Sequence, residues 1–481
     1  MNALRARTTA LLLGLLLAVS CLRTQAQDQS APPDSSAGNP SGATPQGEEV
    51  PSLARTPQND RTPVSGVEDY RLDGLNLGRS FLLGKVDFTE NYDTNSNSAA
   101  SNATSQNDSI TNLHGSLAVQ WLSRKSALDL DYIFGALFYA KGTFSQSTNQ
   151  QLNVTEKIYL RRWTLLLGND FAFLPQSPLG LGGLGVGAGG FGGLPGLGGF
   201  GGGLTGFNPG FLPGQNVQGT GSRIREAVVG QGQYSFGPRS SANFSGTYGL
   251  LHFLDNGFLS SRTLGLRAGY DYELNPRQTI SVNTNYNSVG YSSTQPGFFS
   301  QSFQVAYRRT ITGRLSMLAE GGPQITHFAT ALKGPSNRLS WTMRSSLRYM
   351  TTRNSLELAY AHRLTEGSGL LVGADTDTLD IRFSRLISRS WTSSLVGQFN
   401  RNNSLTQTTS AKINNHFNSW LGGVTFQRLL GRQTNLQLSY TLSRQTSNTS
   451  VCAGSVPCGA VSLRQQIGLG LSWSSRPYSI D

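Results

Sequence analysis

Thr263-Leu264-Gly265-Leu266-Arg267-Ala268-Gly269-Tyr270-Asp271-Tyr272-Glu273-Leu274 places an apolar or aromatic side chain at every even position and a small, polar or charged one at every odd position. Side chains of a strand point to opposite faces in turn, so this period of two makes a ribbon with one apolar and one polar face. The same alternation sets Leu356, Leu358 and Tyr360 against Ser355, Glu357 and Ala359, and Leu379, Ile381 and Phe383 against Asp380, Arg382 and Ser384. It returns with Leu436, Leu438, Tyr440 and Leu442 against Asn435, Gln437, Ser439 and Thr441. These runs reach about 11–14 residues, longer than the strand of roughly 5–6 usual in soluble proteins and long enough to cross a bilayer at a tilt.

Working outward, a basic residue marks a short polar break between such runs eight times, at Arg124, Arg162, Arg239, Arg277, Arg314, Arg353, Arg389 and Arg432. Neighbouring breaks are 36–43 residues apart, except for the 77 residues from Arg162 to Arg239. A repeated hairpin has this footprint. Short breaks alternate with long polar connections, and one strand at each end (about 79–91 and 461–474) completes the count. The expectation is an all-β, antiparallel transmembrane β-barrel of about 18 strands, within a range of 16–20. An even number puts both termini on one side, and closure removes the unpaired edges that hydrocarbon does not tolerate. Trp121, Trp163, Trp341, Tyr349, Trp391, Trp420 and Trp473 fall near strand ends, where aromatic girdles sit.

Arg5 and Arg7 precede an apolar run, Ala10 to Val19, that is too short for a transmembrane helix and reads as an export signal over 1–26. Two processing readings stand: cleavage after Thr24-Gln25-Ala26, or a lipoprotein-like site at Cys21. Residues 27–78 are rich in Pro, Ser, Gly, Gln and Asp and are expected to form a disordered periplasmic linker; the barrel is expected over 79–481. The apolar fraction is only 37%, which a chain with apolar residues at alternate positions can have and still be integral to a membrane. The net charge of +12 comes almost all from Arg, spread one or two per break and along polar faces, not clustered as nucleic-acid binding requires. Cys452 and Cys458 flank a small Gly/Pro loop and are expected to pair in an oxidising compartment.

No chemistry-bearing constellation emerges. Gly180-Leu181-Gly182-Gly183-Leu184-Gly185 fits a dinucleotide fingerprint by letter only, within a Gly-rich tract that has no strand-to-helix context. His114, His252, His327, His362 and His416 are scattered, without metal-ligand spacing. The expectation is no enzyme, no catalytic residue, no cofactor and no metal.

The stretch from about 79 to 481 resembles the large porin-like outer-membrane barrels of Gram-negative bacteria. Its last run, Gln466-Ile467-Gly468-Leu469-Gly470-Leu471-Ser472-Trp473, looks like the C-terminal signal read by the barrel-assembly machinery, with Gln466, Gly468, Leu471 and Trp473 at the signal positions. The departure is that Arg476 to Asp481 follow, with Pro477, which cannot donate to a ladder. A Gly-rich insertion over about 174–223 takes the place of the third external loop, which narrows the pore in porins. Two readings remain for it: a greasy plug built on its Leu and Phe residues, or a surface loop whose Gly content opposes order.

The resemblance implies passive diffusion of small hydrophilic solutes, outer-membrane lipid and the assembly machinery as partners, and a location in the bacterial outer membrane. It is compatible with a homotrimer. Polymer export, such as of an exopolysaccharide, and a closed structural or adhesive barrel are the alternatives. Strand parity places Asp129, Asp131, Arg267, Asp271, Glu273, Arg344, Arg348, Glu357, Asp380, Arg382 and Arg464 toward the pore. Arg344 and Arg348 share a face with no acidic residue beside them in sequence, which marks them for anion contact.

Overall fold

The computed structural model describes residues 80–96, 104–142, 146–174, 222–255, 258–292, 297–328, 337–365, 372–405, 416–431, 433–447 and 461–480. The expected leader, the 27–78 segment, residues 175–221 of the Gly-rich insertion, Arg432 and the Cys452/Cys458 pair lie outside them.

Every regular element among the described residues is a strand. The first six are β1 (Phe81–Asp93), β2 (Asp108–Leu122), β3 (Ser126–Tyr139), β4 (Ser147–Tyr159), β5 (Trp163–Leu174) and β6 (Arg223–Ser235). Then come β7 (Ser240–Phe253), β8 (Ser261–Asn275), β9 (Gln278–Tyr291), β10 (Phe298–Thr312), β11 (Leu315–Phe328) and β12 (Asn337–Met350). The wall ends with β13 (Asn354–Thr365), β14 (Ala374–Leu386), β15 (Trp391–Ser404), β16 (His416–Leu429), β17 (Thr434–Ser447) and β18 (Val461–Ser474). A two-residue β19 (Tyr478–Ser479) follows. Each long strand pairs antiparallel with its sequence neighbours, and β18 returns to β1 from Lys85↔Ser474 to Asp93↔Gln466. The sheet is therefore a closed 18-stranded barrel. The first strand starts two residues later than expected, and the last matches 461–474.

The basic breaks fall in the short connections β2–β3, β4–β5, β6–β7, β8–β9, β10–β11, β12–β13, β14–β15 and β16–β17. Hydroxyl and amide side chains hold these turns, as Ser, Thr and Asn do when they bond their own backbone nearby. Thr312 Oγ1 accepts from the amides of Arg314 (3.2 Å) and Leu315 (3.1 Å), and Thr351 Oγ1 accepts from Asn354 N at 2.9 Å. Asn275 Oδ1 accepts from Arg277 N at 3.0 Å. The pairing shifts by one residue just before two of these turns, between Glu273 and Asn275 and between Thr310 and Thr312. Such bulges increase local twist. The carbonyls of Arg162, Arg239, Arg277, Arg314 and Arg353 each accept an amide hydrogen bond from the strand of the next hairpin. These five turns therefore stitch successive hairpins together through their backbone.

The alternation read in Thr263–Leu274 is the inside–outside parity of the wall. Leu264, Leu266, Tyr270, Tyr272 and Leu274 are exposed, whereas Arg267 and Asp271 on the other face are buried. Trp121, Trp163, Trp341, Tyr349, Trp391, Trp420 and Trp473 all lie exposed on the outer face, an apolar surface that calls for a hydrocarbon surround. The inner face is not uniformly polar. Phe81, Leu83 and Ala118 pack together behind the short-turn end, and Ile110, Leu137 and Tyr139 pack at the other.

The residues beyond the last strand extend the closing seam. Ser475 N donates to Gly84 O at 2.8 Å, Ser475 Oγ accepts from Gly84 N at 3.0 Å, and Tyr478–Ser479 pair with Leu82 and Phe81. Pro477 sits in the unpaired step between these contacts, where its missing donor costs nothing.

Candidate functional site

The inner wall carries the polar chemistry, in clusters that bridge strands. The densest spans β7 to β12. Arg267 on β8 pairs with Glu320 on β11, and both side chains are under 5% exposed. Two strands stand between them, so the pair crosses the concave face. Asn283 of β9 donates to the same Glu320 carboxylate at 3.3 Å. Asp271 accepts from Asn243 of β7 and Ser281 of β9. Asn285 of β9 donates to Gln304 of β10 at 2.8 Å, and Gln304 donates to Thr342 of β12 at 3.4 Å. Charges buried this deeply need both a partner and further hydrogen bonds, and the neighbouring amides and hydroxyls supply them.

A second cluster sits on the seam. Arg464 of β18 donates through Nε to Asp93 of β1 at 2.6 Å; Gln466 Nε2 reaches the same carboxylate oxygen at 2.8 Å. The other oxygen accepts from Asn95 N at 3.0 Å. Asp93 is fully buried, so the carboxylate that clips β1 to β18 is shielded from solvent. A third pair, Arg225–Asp170, joins β6 to β5 at 2.6 Å.

The remaining residues expected to face the pore lie on the same inner parity. Asp129 accepts from Gln120 Nε2 at 2.9 Å, with Asp131 two residues along β3. Glu273 ends β8 beside the short turn. Ladder register sets Glu320 opposite Arg344 and Glu357 opposite both Arg348 and Arg382; Asp380 faces Ala359. Arg348 and Glu357 come within 3.6 Å and are both well exposed. Sequence proximity hid these carboxylates from Arg344 and Arg348, because strand pairing brings them from residues 24 and 9 positions away.

Glycines let side chains bridge over a strand. At Gly135 of β3, a Cβ would lie 2.0 Å from Asn149 Oδ1 and 2.2 Å from His114 Cδ2, the two groups that meet above it from β4 and β2. Gly468 of β18 does the same beneath Asn91 of β1 and Ser439 of β17. Of the other residues in the last-strand motif, Gln466 holds Asp93, while Leu471 and Trp473 are exposed outward.

One seam is incomplete. The β12–β13 ladder runs from Met350↔Ser355 only to Met343↔His362. Residues Asn337 to Thr342 pair with β11 on one side, and Arg363 to Thr365 pair with β14. Trp341 stacks on His362 at the fork, ring centroids 4.1 Å apart and 14° from parallel, and His362 Nδ1 lies 2.7 Å from Asp377 Oδ1. Above the fork, Arg338 of β12 reaches Asp375 of β14 at 2.6 Å. Leu364 turns onto Val289 and Phe298, with Tyr291, Phe328 and Leu405 around them, so apolar side chains pack across the inner face near the long-loop end.

Sequence reasoning missed Glu320, Asp93, Asp170 and the open ladder. Glu320 lies on the polar parity of β11 but beside Gly321-Gly322-Pro323, which blurs the alternation. Asp93 stands just past the expected end of the first strand. Among the described residues, no group of His, Cys, Asp and Glu is arranged to hold a metal.

No protein-family model matches the chain, and no curated protein matches its sequence. Among solved structures, it is similar to Pseudomonas aeruginosa OpdK with vanillate at 9% identity and TM-score 0.42, covering 82% of this chain and 99% of that one. It is similar to Acinetobacter baumannii OccAB3 at 9% identity and TM-score 0.43, over 82% and 99% of the two chains. Pseudomonas aeruginosa OccK2 (OpdF) in complex with glucuronate aligns at 10% identity and TM-score 0.42, over 84% and 98%. Identities this low, with TM-scores below 0.5, leave the barrel's own geometry as the basis for a functional reading.

Proposed function

We propose that this chain is an outer-membrane channel for passive diffusion of small hydrophilic solutes. The observation that carries the reading is a closed 18-stranded wall, apolar and aromatic outside and lined inside by paired charges, amides and hydroxyls. A barrel of 16–18 strands encloses more space than its own side chains fill and leaves an aqueous path. Strands of 12–15 residues suit a tilted crossing of the hydrocarbon core. Both ends of the wall lie at the short-turn rim, which makes that rim periplasmic in the usual orientation of such barrels.

In this reading Arg267, Asp271, Glu273, Arg344, Arg348, Glu357, Asp380, Arg382, Asp129, Asp131 and Arg464 face the lumen. The well-exposed pair Arg348–Glu357 is the one best placed to meet a passing solute, and Arg267–Glu320 and Arg464–Asp93 brace the wall. The last strand, through Gln466, Gly468, Leu471 and Trp473, is the element that the barrel-assembly machinery would take up. Liposome swelling tests the proposal. Vesicles containing the refolded protein should swell in isosmotic arabinose and more slowly in raffinose. Vesicles that swell in neither sugar would refute diffusion of small solutes.

A further inference from the structure

The two rims of the barrel differ sharply in charge. The eight short connections contain ten Lys and Arg residues and no Asp or Glu. The long connections are nearly balanced, with Lys141, Lys333 and Lys412 against Asp255 and Glu366. The basic rim follows directly on the outward aromatic girdle, and two guanidinium groups are seen on that girdle. Arg162 Nη1 donates to Tyr234 Oη at 3.4 Å, where Tyr234 packs with Trp163 and Phe236. Arg428 lies over the Trp391 ring, 5.4 Å from its centre. These charges are thus set at the depth of lipid head groups.

Between two neighbouring turns the same rim forms a cleft of about 400 Å³, lined by Asn275, Arg277, Gln278, Arg309, Thr310 and Ile311. Arg309 and Ile311 share the outward parity of β10 with the exposed Phe303 and Val305. Arg277 projects from the adjacent turn. Among the described residues no hydrogen bond or ion pair is found for either guanidinium. The cleft therefore offers two cations on its polar side and, through the exposed Ile311, an apolar side on the outward parity of the wall. A phosphate fits the first and an acyl chain the second.

We propose that this cleft binds an anionic glycerophospholipid of the adjoining leaflet, with the phosphodiester held by Arg277 and Arg309 and the acyl chains lying against Ile311. The basic rim then fixes the depth of the barrel in the bilayer by the same chemistry at neighbouring turns.

Native mass spectrometry of the refolded full-length protein tests this, using phosphatidylglycerol and phosphatidylcholine of matched chains. The intact protein should retain phosphatidylglycerol over phosphatidylcholine on the order of tenfold, since each basic group near a head group favours the anion. Arg277→Gln/Arg309→Gln should lose most of that preference. Lys141→Gln/Arg262→Gln, an equal charge change at the long-loop rim, should keep it. Heat-modifiable gel migration confirms that each variant is folded. Equal retention of the two lipids by the intact protein would overturn the proposal, as would equal loss in both double variants. Displacement of the bound lipid by millimolar glycerol 3-phosphate would overturn it too, by making the cleft a soluble-anion site.

Discussion

The Arg267 guanidinium on β8 meets the Glu320 carboxylate on β11 across two intervening strands, and neither side chain is more than 4% exposed. The pair reaches across four strands of the wall, β8 to β11, with Asn283 of β9 as a third member. Removing one partner of such a pair leaves an uncompensated buried charge. Glu320→Gln should therefore lower stability by about 3–5 kcal/mol, and Arg267→Met/Glu320→Gln should cost less than the sum of the single changes. Urea unfolding in lipid vesicles reads both. Additive single costs would mean that the two side chains do not interact.

The parity of the wall makes a sharper prediction one residue away. Leu266 is exposed on the outer face beside Arg267 on the inner one. Leu266→Arg should destabilise the barrel by about 2–4 kcal/mol, the cost of a basic side chain near the bilayer midplane. Ser346→Arg, on the inner face of β12 where the side chain is only partly buried, should cost far less. Equal effects would contradict the assignment of faces.

At the closing seam, Asp93 is the acceptor shared by Arg464 and Gln466. Asp93→Asn should loosen β1 from β18 and cost about 3 kcal/mol or more, because Arg464 stays buried without its counter-charge. The readout is the temperature at which the compact, fast-migrating form is lost on semi-native gels. An unchanged temperature would show that the backbone ladder alone closes the barrel.

The fork between β12 and β13 predicts uneven protection. Residues Asn337 to Thr342 have ladder partners only on β11, whereas Met343 to Tyr349 have them on both sides. Amide hydrogens of the first group that point toward β13 should exchange far faster than those of the second. Hydrogen exchange with mass spectrometric detection resolves the two halves of this strand. Uniform protection along β12 would mean that the ladder is closed in solution.

Much of this was readable from residues. The alternation in Thr263–Leu274 is the parity of β8, and the basic breaks mark the eight short turns, because a strand's period and a turn's chemistry are local properties. Partners across the wall were not readable. Glu320 is 53 residues from Arg267, and Asp93 is 371 from Arg464; only closure of the sheet brings each pair together. The inward Phe81, Val289 and Phe298 escaped as well, since an apolar residue on the polar parity looks like noise until its neighbours are known. The tail after Trp473 read as a departure from the assembly motif, but its pairing with β1 depends on a strand almost 400 residues earlier.

Single-channel recording in a planar bilayer tests the central claim most directly. The refolded full-length protein should give discrete, steady conductance steps, and Glu357→Gln should shift the reversal potential in a salt gradient toward anion preference. Silence from the full-length protein, and from a variant lacking residues 180–205, would contradict the account of this barrel as a channel.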